Sequence, residues 1–83
     1  MNWTIFQYPS VRSRLPKDTR AVFDRMAYEG LRLREAAGDL SVPALLTRWR
    51  RAIHTSGVPS VPAHRLRHDY ITATLGALKG DDK

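Results

Sequence analysis

The chain reads as mainly α: a small domain of three to four helices containing a helix-turn-helix, with an extended N-terminal arm and an irregular Pro-rich wing. Three observations predict this. Apolar residues recur at helical spacing between Val22 and Ile53, and glycines at 30, 38 and 57 punctuate the pattern. The stretch Leu33-Arg34-Glu35-Ala36-Ala37-Gly38-Asp39-Leu40-Ser41-Val42-Pro43 has the shape of a short helix, a tight turn and the start of a second helix. In 83 residues there is room for one modest core and none for a second domain or a large catalytic cleft.

Residues 1–16 are expected to form the arm. Trp3, Ile5, Phe6 and Tyr8 are large and apolar, Pro9 and Pro16 interrupt the segment, and Arg12 and Arg14 make its second half basic. A short strand over Thr4 to Tyr8 would lack a pairing partner, so the aromatics are expected to dock on the domain rather than stay in water. The helix-turn-helix domain spans 17–79. Its first helix is capped by Asp18 or Thr19, carries Val22, Phe23 and Met26 on one face, and stops at Gly30. Leu31, Leu33 and Ala37 of the second helix and Leu45, Leu46, Trp49 and Ile53 of the third supply the facing apolar surface. Ser41 opens the third helix, over about Pro43 to Thr55, and Ser56-Gly57 closes it. Across the turn, Leu40 and Val42 are expected to be buried. The stretch Val58-Pro59-Ser60-Val61-Pro62 is a loop or small wing, because each proline holds its predecessor extended. A last helix opened by His68 or Asp69 carries Ile71, Leu75 and Leu78, and residues 80–83 form a disordered tail.

Charge points to an acidic partner. Fourteen Lys and Arg stand against eight Asp and Glu, a net charge of +6, and eleven of the cations are arginine. Arginine pairs bidentately with phosphate or a guanine edge, which suits nucleic acid. Five arginines and no acidic residue fall between Leu40 and His68. The polar face of the third helix, Thr47, Arg50, Arg51 and His54 with Arg48 beside it, is the expected DNA-binding surface, extended by His64, Arg65 and Arg67. The same face also fits a merely solvated amphipathic helix.

Other chemistries find little footing. The absence of cysteine excludes disulfides, thiol nucleophiles and Cys-ligated zinc. His64 and His68 would share a helical face, but no carboxylate stands close by on it, so neither a metal nor a cofactor is expected. The N-terminus lacks the pattern of a signal peptide, and no apolar run approaches the ~20 residues that span a bilayer. A cytoplasmic protein without membrane contact is expected.

Residues 31–78 resemble the excisionase and MerR-type winged helix-turn-helix proteins through Leu31, Glu35, Ala36, Ala37, Leu40, Val42, Trp49, Gly57, Pro59 and Arg65. That resemblance implies a small DNA-bending or regulatory protein. A second likeness links Tyr28–Glu35 and His64-Arg65-Leu66-Arg67-His68 to the arginine boxes of tyrosine recombinases. The nucleophile those enzymes need well downstream has no counterpart, since only Tyr70 follows the second box, so no catalysis is expected. The reading is therefore a non-enzymatic transcriptional regulator or excisionase-like factor on double-stranded DNA. The alternative is a protein-binding antiactivator, derived from a helix-turn-helix, that sequesters another regulator.

Overall fold

A computed structural model describes residues 2–81, with side chains for residues 2–75. Five helices follow one another: α1 (Trp3–Arg12), α2 (Lys17–Glu29), α3 (Leu33–Ala37), α4 (Val42–Ser56) and α5 (Arg65–Asp81), with no strand among the described residues. The mainly α class is as expected, with one helix more than the three to four anticipated. The additional helix is α1, and the extended arm is thereby corrected.

Three features make α1 helical in spite of Pro9. Asn2 Oδ1 accepts the Ile5 N–H at 3.1 Å, and the Asp69 carboxylate accepts both the Thr4 N–H at 3.0 Å and the Thr4 hydroxyl at 2.7 Å. These satisfy donors that a helix start leaves free and set a negative charge at the positive end of the dipole. Trp3, Thr4, Tyr8 and Val11 bury at helical spacing. Packing and capping together exceed the ~3 kcal/mol that an interior proline costs. The aromatics divide: Trp3 and Tyr8 enter the core, whereas Ile5 and Phe6 are 66% and 62% exposed.

The body of the domain follows the apolar periodicity. α2 buries Val22, Phe23, Met26 and Ala27 and ends at Gly30, whose left-handed φ of 72° is a conformation glycine adopts without penalty. Neither Asp18 nor Thr19 caps α2; Pro16 precedes its first turn, and Asp18 lies inside it. α3 packs on α2 and α4, with Ala36 and Ala37 buried at the contacts as expected of small residues. Gly38, at φ 58° and ψ −117°, permits the sharp exit from α3. The turn closes through Leu40 N–H to Ala37 O at 3.0 Å, and this tight geometry leaves Leu40 37% exposed instead of buried. Ser41 caps α4 through the Ala44 N–H, and Gly57 ends it.

Trp49 occupies the centre of the core. Its ring lies 4.9 Å from that of Phe23, 5.8 Å from Trp3 and 6.3 Å from Tyr8, between centroids. Such aromatic pairs contribute ~0.5–1.5 kcal/mol each beyond the area they bury. Residues 58–62 form a loop with no regular structure, and two indoles fasten it: Trp3 Nε1–H donates to Pro59 O at 3.0 Å and Trp49 Nε1–H to Val61 O at 2.9 Å. α5 packs on α2 and α1. It begins at Arg65, a turn ahead of the expected start: His68 N–H already donates to His64 O at 3.1 Å, and Asp69 lies inside the helix, engaged with Thr4 of α1 and not acting as a cap. Helix α5 runs to Asp81, the side chain of Leu78 is outside the described set, and residues 82–83 of the expected tail lie outside the described residues. No described helix is long and apolar enough to cross a membrane.

Candidate nucleic-acid interface

Helix α4 divides its surface cleanly. Leu45, Trp49, Ala52 and Ile53 face the core, and Thr47, Arg50, Arg51 and His54 are exposed on the opposite side. The buried stripe fixes the rotation of the helix, so the polar residues share one outward face. Among the described residues neither Arg50 nor Arg51 has an ion-pair or side-chain hydrogen-bond partner. Thr47 directs its hydroxyl to Pro43 O at 3.1 Å, which leaves the oxygen able to accept.

The remaining anticipated contacts are placed differently. Arg48 stands on the flank of α4, where Nη1–H donates to the buried Thr19 hydroxyl at 2.9 Å and lies 3.6 Å from Asp18 Oδ2. Arg65 donates from Nε to Asp69 Oδ1 at 2.9 Å, and Arg67 donates from Nε to Gly30 O at 3.0 Å. Arg67 thus ties α5 to a carbonyl at the end of α2, whereas Arg65 pairs within α5 and steadies the carboxylate that caps α1. His64 is exposed just ahead of α5.

Two grooves flank the α4 face. One, of about 500 Å³, runs between α4 and the proline loop and is lined by Arg50 and His54 over Ile53, Val58 and Val61. The other, of about 310 Å³, brings Arg14 from the turn between α1 and α2 beside Arg48, Arg51 and Thr55. Arg14 was not among the residues expected at the site; the basic second half of the N-terminal segment was its only sign in the sequence.

A second polar cluster ties α1 to α2. Asp24 accepts the Tyr8 hydroxyl at 2.7 Å and a bidentate pair from Arg12, with Nε and Nη2 each at 2.9 Å. Burial pushes the Asp24 carboxyl up, but the hydrogen bonds from Arg12 and Tyr8 outweigh it and hold the group below its ordinary range. Asp69 behaves alike: burial raises it, and the Thr4 hydroxyl, the Thr4 N–H and Arg65 more than compensate. Desolvation and the bond to Asp24 keep the Tyr8 phenol protonated far above the usual tyrosine range. These groups are architectural, since both oxygens of each carboxylate already have partners within the fold. Among the described residues no group of three or more His, Asp and Glu side chains gathers as a metal site would require.

Comparison with protein-family models, with curated proteins and with solved structures finds no match to this chain.

Proposed function

We propose that this chain is a small double-stranded-DNA-binding protein, a transcriptional regulator or excisionase-like accessory factor that acts by binding and not by catalysis. One observation carries the reading: Thr47, Arg50, Arg51 and His54 share the outward face of a single helix with no acidic residue among them. An α-helix fits the major groove, and unpaired guanidiniums on its outward face can reach phosphates and guanine edges. In this reading α3, the turn and α4 serve as the helix-turn-helix. A cytoplasmic location goes with that role.

The test is duplex binding by fluorescence anisotropy across a salt series. Arg50→Ala with Arg51→Ala should weaken binding by on the order of 2–4 kcal/mol and make the salt dependence shallower, with circular dichroism unchanged. Unaltered affinity in a folded double variant refutes the assignment of the surface.

A second reading, a protein-binding antiactivator, is favoured by a different observation. Ile5, Tyr28 and Tyr70 line a groove of about 710 Å³ between α1, α2 and α5, with exposed Phe6 close by in sequence. An apolar surface of that kind suits a protein partner. A basic protein that fails to bind duplex at low salt yet keeps its fold would move the balance to this reading.

A further inference from the structure

We propose that Arg14, Arg48 and Arg51 form a seat for one phosphate group, so that a nucleic-acid backbone crosses the molecule at the turn between α1 and α2. The proposal rests on the DNA-binding reading for the source of the phosphate, but not for the existence of the anion site.

The three guanidiniums come from two separate parts of the chain and line one groove, with Pro16 and Thr55 completing its walls. On α4, Arg48, Arg51 and Thr55 follow at spacings of three and four, the register that puts side chains on one flank of a helix. The turn under Arg14 is held at several points. Arg14 N–H donates to Val11 O at 2.9 Å, Leu15 N–H to Arg12 O at 3.1 Å, and Leu15 itself is buried. Arg48 is steadied by its bond to Thr19, which uses Nη1 and leaves Nε and Nη2 free to donate. Arg48 is thus positioned before an anion arrives, which lowers the entropy lost on binding.

Charge decides what the groove can take. Asp18, 3.6 Å from Arg48, is the carboxylate closest to the cluster and offsets one guanidinium, leaving an excess of two positive charges. A further cation, Lys17, begins α2 directly after Pro16. Guanidinium forks match the oxygens of a tetrahedral phosphate in pairs, which an ammonium cannot do. Asp18 opposes the anion, so removing its charge should strengthen the site.

The experiment combines two ligands. Inorganic phosphate is titrated into the wild-type chain, Arg14→Ala and Asp18→Asn, with the Arg Nε–H resonances followed by NMR. Saturable shifts of Arg14, Arg48 and Arg51 in the wild type, loss of saturation in R14A and tighter binding in D18N are expected. In parallel, duplex binding is measured against salt. R14A should lower affinity several-fold, equally for unrelated sequences, and reduce the slope of log affinity against log salt by about 0.9, as one lost phosphate contact requires. If phosphate leaves the three resonances unmoved and R14A retains the full slope, the seat is overturned, while duplex binding that depends on Arg50 and Arg51 still upholds the DNA reading. If phosphate saturates the site but no duplex binds, the seat stands, the DNA reading fails, and the ligand is a free phosphate compound.

Discussion

Replacing Asp69 with alanine tests whether one carboxylate holds the two ends of the fold together. Its side chain is buried and accepts three hydrogen bonds, two from Thr4 and one from Arg65. In Asp69→Ala the guanidinium of Arg65, about a third exposed, rehydrates with little penalty. Thr4 cannot do so, because it is itself buried, and its N–H and hydroxyl lose their partner. Buried donors left unpaired cost ~1–3 kcal/mol each, and the lost charge at the start of α1 adds several tenths, so the total comes to about 3–5 kcal/mol. A domain of this size loses roughly 4–8 °C of Tm per kcal/mol, which gives a drop of at least about 12 °C in a melt followed by circular dichroism. Thr4→Val supplies the second arm. It removes the hydroxyl bond alone, so its effect should be mostly absent when Asp69 is already alanine, a coupling of about 1 kcal/mol. An Asp69→Ala protein melting within about 4 °C of wild type, or strict additivity in the double variant, would refute the argument that Asp69 works through Thr4.

Three further outcomes follow from the packing and the charges. Trp49→Ala removes the ring at the centre of the aromatic cluster and the bond to Val61 O; it should cost about 3–5 kcal/mol and leave the chain largely unfolded at 37 °C, so a cooperative melt near the wild-type temperature would contradict the central placement of that ring. Asp24 and Asp69 both titrate below their unfolded value, so the stability they contribute is present above about pH 3.9 and is lost as pH falls through their folded values. Urea titrations between pH 6 and pH 2 should show this loss, with a flatter acid limb in Asp24→Asn/Asp69→Asn. Gly30→Ala places a methyl group against the Tyr70 ring at a left-handed φ of 72°, and should destabilise by more than the ~1 kcal/mol of the backbone term alone. Tyr70→Ala in the same chain should recover the part due to the ring, as calorimetry of the two variants can measure.

Legibility in the sequence varied with how local the cause was. Helix α4 could be read almost to the residue because its apolar stripe lies within it and its cap and terminal glycine directly adjoin it, and its outward face followed from the same stripe. Helix α1 could not: its proline breaks the local pattern, and the groups that stabilise it, Asp69 and the ring of Trp49, lie far along the chain. The start of α5 was misplaced for the complementary reason, since an aspartate that resembles a local cap belongs to a distant helix. At the candidate interface Thr47, Arg50, Arg51 and His54 were accessible to periodicity alone. The positions of Arg48, Arg65 and Arg67 were settled by partners at Thr19, Asp69 and Gly30, two of them 29 and 37 residues away, which periodicity does not encode. Arg14 joins the groove through a turn, and turns carry no periodic signal.

The bonds from Trp3 to Pro59 and from Thr4 to Asp69 span 56 and 65 residues. During synthesis at roughly 5–20 residues per second, Asp69 is added about 3–13 seconds after Thr4. Helix α1 is therefore made first and secured last. Until α5 arrives, the apolar face of α1 has only the α2–α4 portion to cover it, and the donors at its first turn are left to water and to Asn2. Closure of so long a loop is slow compared with the local pairing of α2, α3 and α4. The nascent chain thus passes through an interval in which the polar outward face of α4 can already be formed while the first helix still waits for its anchor.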